Sequence, residues 1–193
     1  RHSVAQAWTT STQVNFCAQA FPTVPSNHKD HATLQVLAGF LRNGFLHSAI
    51  REKGGAYGGG ASQDGSSASF RFYSYRDPRL DATLADFNRS IDWLQTTRHP
   101  DNQLEEAILG VIAQMDKPAS PAGEAKAAFY NRVFGRGIEQ RLAFRQRVLA
   151  TTIEDLQAVA ERYFVGIAPS VAVITSASAA QSLKIDGLVI NKI

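Results

Sequence analysis

The sequence has 193 residues, of which 44% are hydrophobic, and this is enough for one compact domain with its own core. Its net charge of +3 does not by itself indicate a nucleic-acid or membrane partner, and no segment approaches the roughly 20 apolar residues of a membrane-spanning helix. Cys17 is the only cysteine, which excludes an internal disulfide and a cysteine-rich zinc site and fits a reducing compartment.

The first half of the sequence predicts a strand, a long helix and a hairpin. Apolar and polar residues alternate over residues 13–20, as in a half-buried strand, and a turn-rich break follows at 21–26. A helix is expected over residues 31–51, and its buried face would consist of Leu34, Leu37, Leu41 and Phe45. Residues 57–64 and 67–75 read as two strands joined by a turn at Asp64-Gly65. Phe70 and Phe72 would then point to one face of the sheet, and Arg71, Tyr73 and Tyr75 to the other.

The second half predicts helices followed by one strand. Apolar stripes indicate helices over residues 80–94 and from Asp101 onward, the latter with Leu104, Ile108, Val111 and Met115 turned inward. Ser120-Pro121 is a typical helix start, and two further helices are expected at 121–134 and 138–149. A capping box at Thr152 and Asp155 begins another helix to about residue 164, and residues 170–175 form a short apolar strand. This order predicts an α+β fold, a mostly antiparallel sheet with helices packed on one face.

Arg51 and Tyr57 are the first candidates for chemistry. Arg51 ends the long helix, and a bend containing Gly54 and Gly55 separates it from Tyr57 six residues later. Both side chains can donate hydrogen bonds to a carbonyl or an oxyanion. The structural alternative is a cation that favours a helix C-terminus, a glycine stop and a packing tyrosine. The glycine run does not indicate a phosphate site, because here a helix precedes the glycines and a strand follows.

Two other clusters have a functional and a structural interpretation. His28 and His31 could bind zinc, but no inverted zinc-peptidase motif H-x-x-E-H accompanies them, so we interpret them as surface histidines near a turn. The second cluster has five arginines and four aromatic residues, namely Arg132, Arg136, Arg141, Arg145, Arg147, Phe129, Tyr130, Phe134 and Phe144. It could bind nucleic acid, but the small net charge favours helices with inward aromatics and solvated arginines, some of them paired with Glu124 or Glu139.

Residues 50–58 closely resemble the arginine–tyrosine segment in the C-terminal half of pitrilysin/insulinase-type zinc peptidases. The six-residue gap with Gly-Gly-Ala inside it is similar to the presequence protease branch. Residues 8–16, 72–78, 108–118 and 147–155 resemble other parts of the same domain, so the likeness covers nearly the whole chain. The fold implied is a LuxS/pitrilysin-like half-domain with the order βαββ, then helices, then β.

The resemblance implies a function for residues 1–193 as one domain. They would be the C-terminal, non-zinc-binding domain of a four-domain peptidase that degrades unstructured peptides. Arg51 and Tyr57 would contact the substrate carbonyl or oxyanion, and Gly54, Gly55 and Gly58 would also bind substrate. Zinc and its glutamate base would lie in the N-terminal domains, so this chain alone would bind no metal and be inactive.

The expected partners are a peptide substrate and the N-terminal zinc-binding domains of the same polypeptide, with no nucleic acid and no membrane. The first residues lack the apolar core of a signal peptide, and we expect a cytoplasmic location and a sequence that starts within a longer chain. Two alternatives stay open. One is a non-catalytic interaction domain of the same fold, and the other is a basic nucleic-acid-binding module.

Overall fold

The computed structural model describes residues 2–135 and 137–193. In this part of the chain, six strands form a single sheet in the order β3-β4-β2-β5-β1-β6. The strands are β1 Ala5–Thr9, β2 Asn15–Pro22, β3 Gly58–Asp64, β4 Ser69–Asp77, β5 Ser170–Thr175 and β6 Leu188–Lys192. The pairs β3–β4, β4–β2 and β2–β5 are antiparallel, whereas β1 runs parallel to both β5 and β6. The sheet is therefore mixed but mostly antiparallel.

Helices connect the strands and cover one face of this sheet. They are α1 His31–Leu41, a π-helical segment Arg42–Glu52, α2 Asp81–Thr96, α3 Asp101–Asp116, α4 Pro121–Val133, α5 Ile138–Leu149, α6 Ile153–Tyr163 and α7 Ala177–Ser182. Ser120 caps α4, and Thr152 and Asp155 form the expected capping box at α6. The α+β prediction is confirmed.

The core lies between α1 and the covered face of the sheet. Leu34, Leu37 and Leu41 of α1 are fully buried, as their spacing predicted. Phe72 of β4 stacks on Phe87 of α2 with ring centroids 5.5 Å apart. On the other face of β4, Arg71 and Tyr75 are exposed and Tyr73 is half-buried, which confirms the alternation predicted for this strand. The helices thus bury one face of the sheet, and on the opposite face the side chains of Arg71 and Tyr75 are exposed to solvent.

Several predicted boundaries were wrong. The short strands β1 and β6 and the helix α7 were not predicted, and β2 extends to Pro22, two residues beyond its predicted end at residue 20. Asp64 is not a turn residue but pairs with Ser69, so the hairpin loop is residues 65–68. The Asp64 carboxylate accepts the backbone N–H of Ser66 at 2.8 Å, and Ala68 takes a φ of 50°, which together close this longer loop.

The aromatic residues expected to point inward from α4 are exposed instead. Phe129 is 65% exposed, Tyr130 47% and Phe134 56%, because α4 contributes no buried residue to the core. Only Phe144 of the four packs inward, against the core and the ring of His31. Arg145 Nη1 donates a hydrogen bond to Asp116 Oδ1 of α3 at 2.6 Å. Arg136 lies outside the described residues.

Candidate functional site

Arg51 lies near the end of the π-helical segment, whose buried side chains are Leu46 and Ile50. The chain then reverses. Gly55 N donates to Arg51 O at 3.0 Å, and Ala56 N donates to Ile50 O at 3.1 Å. Gly55 has a φ of 79°, a conformation that glycine adopts without the steric cost of a Cβ atom. Ile50 and the reversed turn hold the backbone of Arg51 in place, and Arg51 is exposed to solvent.

Tyr57 follows the turn, directly before β3, and its side chain is 66% exposed. Its backbone N–H donates to the carbonyl of Arg76 at 3.3 Å, which ties it to the end of β4. Its ring lies 5.7 Å from the ring of Tyr75, centroid to centroid. The guanidinium carbon of Arg76 lies 5.8 Å from the centroid of the Tyr57 ring. The phenol is therefore held by β4 while its surface remains accessible to a ligand.

The three glycines predicted to bind substrate lie where the chain packs closely on itself. A Cβ atom at Gly54 would come within 1.9 Å of the Arg79 guanidinium, and one at Gly58 within 2.5 Å of the Tyr75 hydroxyl. Both glycines are buried, whereas Gly55 is exposed. Their absent side chains allow the turn to pass under Arg79 and Tyr75. A contact between these glycines and substrate stays a prediction.

A buried polar network, which the sequence analysis missed, supports this turn. Arg79 lies at its centre: Nη2 donates to Ala49 O at 3.0 Å, and Nη1 forms an ion pair with Asp86 at 3.2 Å. Asp77 is fully buried and accepts hydrogen bonds from Arg79 N at 2.9 Å and Thr83 Oγ1 at 2.8 Å. The network links the π-helical segment to the junction between β4 and α2. Asp77-Pro78 marks the end of β4 in the sequence, but only the fold brings Ala49 to this position.

His31 is the first residue of α1 and His28 lies in the turn before it. The interpretation of both as surface residues was wrong for His31, which is 7% exposed. His28 Nδ1 accepts the backbone N–H of Asp30 at 3.1 Å. Asp30 in turn accepts hydrogen bonds from Arg162 at 2.5 Å and from Tyr163 at 2.8 Å. Burial by itself raises the pKa of Asp30, but the hydrogen bonds from Tyr163 and Arg162 outweigh burial and lower it. This cluster therefore joins α1 to α6.

Neither a candidate metal centre nor a membrane-spanning helix is present among the residues that the structure describes. Across residues 2–135 and 137–193, the His, Cys, Asp and Glu side chains form no group of three or more that could hold a metal ion. Every helix in that part of the chain is too short or too polar to cross a bilayer.

Comparisons with known proteins agree with this architecture. The sequence matches the family described as the PreP C-terminal domain over residues 5–176. The mitochondrial presequence protease of Drosophila melanogaster is 42% identical over 163 residues, which cover 82% of this chain and 15% of that protein. That of Yarrowia lipolytica is 41% identical over 153 residues, covering 79% of this chain and again 15% of the relative.

The fold is also similar to that of a solved peptidase. The crystal structure of pitrilysin matches 98% of this chain and 22% of its own, with a TM-score of 0.66 and 15% identity, which is a likeness of fold alone. The chain spans only about 15% of the length of the two presequence proteases that it matches. Since the family match covers most of the described strands and helices and the two presequence proteases agree with it, this chain belongs to the PreP C-terminal domain family.

Proposed function

We propose that this chain is the substrate-binding, chamber-closing C-terminal domain of a zinc-dependent metalloendopeptidase that degrades unstructured peptides. One observation carries the proposal: Arg51 and Tyr57, on either side of one reversed turn, are both exposed, in a chain similar to presequence proteases. A guanidinium and a phenol hydroxyl can each donate hydrogen bonds to a carbonyl oxygen. Such donors stabilise the negative charge that develops on a carbonyl oxygen when a peptide bond is attacked.

The zinc and its base would come from elsewhere in the parent protein. The described residues do not fit a zinc site, because no group of three potential ligands converges in them. We therefore assign zinc and the glutamate base to N-terminal domains of the same polypeptide, in a four-domain arrangement with this chain as the last domain. In this arrangement Arg51 and Tyr57 bind and orient the peptide carbonyl, and Gly54, Gly55 and Gly58 shape the turn that carries them. The isolated chain is expected to have no peptidase activity.

Kinetics of the parent enzyme test these roles. We expect Arg51→Ala and Tyr57→Phe each to lower kcat about a hundredfold or more, the usual effect of losing one oxyanion donor. Matched controls are Arg71→Ala and Tyr130→Phe, which alter an exposed arginine on β4 and an exposed tyrosine on α4. Thermal unfolding of every variant should stay within a few degrees of the wild type, since surface substitutions change stability by about 0.5 kcal/mol or less. Wild-type kcat in both site variants would refute the assigned roles.

Two alternatives predict different results. A non-catalytic interaction domain of the same fold would belong to a parent polypeptide without H-x-x-E-H, so reading the rest of the parent sequence separates it from the proposal. A nucleic-acid-binding module would bind DNA or RNA with a steep dependence on salt, and no binding at low salt would exclude it. The two relatives are named as mitochondrial proteins, whereas a cytoplasmic location for this chain stays a prediction that fractionation of the source cells can test.

A further inference from the structure

Arg76, near the end of β4, has an unusual backbone conformation. Its φ of 51° lies in the left-handed region, where a side chain other than glycine is sterically disfavoured. Within residues 2–135 and 137–193, the other non-glycine residue with a positive φ is Ala68, in the loop of the β3–β4 hairpin. Ala68 has an ordinary role in closing a turn. Arg76 lies inside a strand and needs another explanation.

A β-bulge accounts for the local geometry. Asn15 of β2 pairs with Asp77, but Cys17 pairs with Ser74, so that two residues of β4 lie opposite one residue of β2. Bulges bend a strand and re-aim the side chains at the irregularity. The bulge is held on its C-terminal side by Asp77, which is fully buried and hydrogen-bonded to Arg79 and Thr83. The strained residue is thus fixed by its surroundings.

The consequence of this conformation is a double contact with Tyr57. The carbonyl of Arg76 accepts the backbone N–H of Tyr57 at 3.3 Å. The guanidinium carbon of Arg76 lies 5.8 Å from the centroid of the Tyr57 ring, within the range of a cation–π interaction. Tyr75 contacts the same ring at 5.7 Å. The bulge and the left-handed conformation thus coincide with the residue whose carbonyl and guanidinium both contact Tyr57.

We propose that Arg76 is a positioning residue for Tyr57: its carbonyl and its guanidinium together hold the phenol in one orientation at the end of β4. The inference rests on the proposed function only for its catalytic consequence, because the contact itself is a property of this chain. It assigns a role to a residue outside the Arg51–Tyr57 segment.

The direct test is NMR of the chain with ¹³C-labelled tyrosine rings, comparing the wild type with Arg76→Gln and Arg76→Lys. Arg76→Gln removes the cation and keeps a long polar side chain, and Arg76→Lys keeps the charge. We expect the Tyr57 ring signal to shift and its order parameter to fall in Arg76→Gln, with partial recovery in Arg76→Lys. The matched control is Arg71→Gln, on the same strand but paired with Asp64 at 3.0 Å, which should leave the Tyr57 ring unchanged. An unchanged Tyr57 ring in Arg76→Gln would overturn the inference, whatever the kinetics.

The second test is a double-mutant cycle in the parent enzyme. We expect Arg76→Gln to lower kcat about three- to tenfold when Tyr57 is present and to have little further effect in a Tyr57→Ala background. An equal loss in both backgrounds would overturn the inference, since Arg76 would then act independently of Tyr57. If the NMR result holds but Tyr57→Phe turns over substrate normally, the positioning contact stands and the proposed catalytic role of the Tyr57 hydroxyl fails.

Discussion

Substitution of Gly54 by alanine tests whether the reversed turn depends on close packing. A Cβ atom at this position would lie 1.9 Å from Arg79 Nη2, 2.4 Å from Arg79 Cζ and 2.4 Å from the carbonyl oxygen of Ile50. The Ile50 oxygen cannot withdraw easily, because it is backbone and accepts a hydrogen bond from Ala56. The Arg79 guanidinium can move only by leaving Ala49 O and Asp86, at 3.0 and 3.2 Å.

The expected cost follows from these contacts. Overpacking of a filled site costs about 1–3 kcal/mol. Loss of hydrogen bonds made by a charged group adds about 1.5–3 kcal/mol. We therefore expect Gly54→Ala to lower the free energy of unfolding by about 2.5–6 kcal/mol, a large part of the roughly 5–15 kcal/mol that stabilises a typical domain. For a chain of this size the midpoint of thermal unfolding should fall by about 5–24 °C.

Urea unfolding followed by circular dichroism measures this difference. Gly110→Ala is the matched control, since a Cβ atom at that exposed position of α3 meets nothing within 4 Å. It should raise the free energy of unfolding by about 0.5–1 kcal/mol, because alanine favours helix more than glycine. A Gly54→Ala midpoint equal to or above that of the wild type would refute the account of the turn.

Three further predictions concern a thiol, an acid and a helix cap. Burial raises the pKa of Cys17 to about 11, so a thiol reagent at pH 7 should modify the folded chain slowly, and in step with unfolding as urea is added. The folded-state pKa of Asp30 is lowered, so its contribution to stability is present above the unfolded-state pKa of about 3.9 and is lost as pH falls through the folded value. Asp30→Asn should therefore destabilise the chain near pH 6 and much less near pH 2. Thr152→Ala should cost about 1 kcal/mol through loss of the bond to Asp155 N at 3.2 Å, as measured by the urea midpoint.

For each of these three predictions a specific result would contradict the physical reason given. Fast, complete labelling of Cys17 in native buffer would contradict its burial. A constant difference in melting temperature between the wild type and Asp30→Asn from pH 6 to pH 2 would show that the carboxylate is not the source of the stability. Thr152→Ser keeps the hydroxyl, so a loss equal to that of Thr152→Ala would argue against the cap.

Local patterns were sufficient for elements whose burial is regular along the chain. β5 was predicted with its observed bounds, and the predicted helices α2, α3 and α6 each carry an apolar stripe of helical period. β1 and β6 carry no comparable signal, since each has only five residues and is held by pairing in parallel with a distant strand. Their formation depends on contacts more than 160 residues apart, which no local window contains.

In the candidate site, too, some features were predictable from the sequence and others depend on the tertiary structure. Arg51, the glycine bend and Tyr57 stand within seven residues, so their spacing was visible in the amino-acid order and carried the family resemblance. The outward aromatics of α4 were mispredicted because an apolar face indicates burial without indicating whether anything covers it. Three features depend on chain segments that meet only after folding. They are the backbone conformation of Arg76, the close packing of Gly54 against Arg79, and the hydrogen bond from Tyr57 N to the Arg76 carbonyl of β4. Periodicity and turn chemistry act between near neighbours, whereas these contacts arise from strand register and side-chain packing across the sheet.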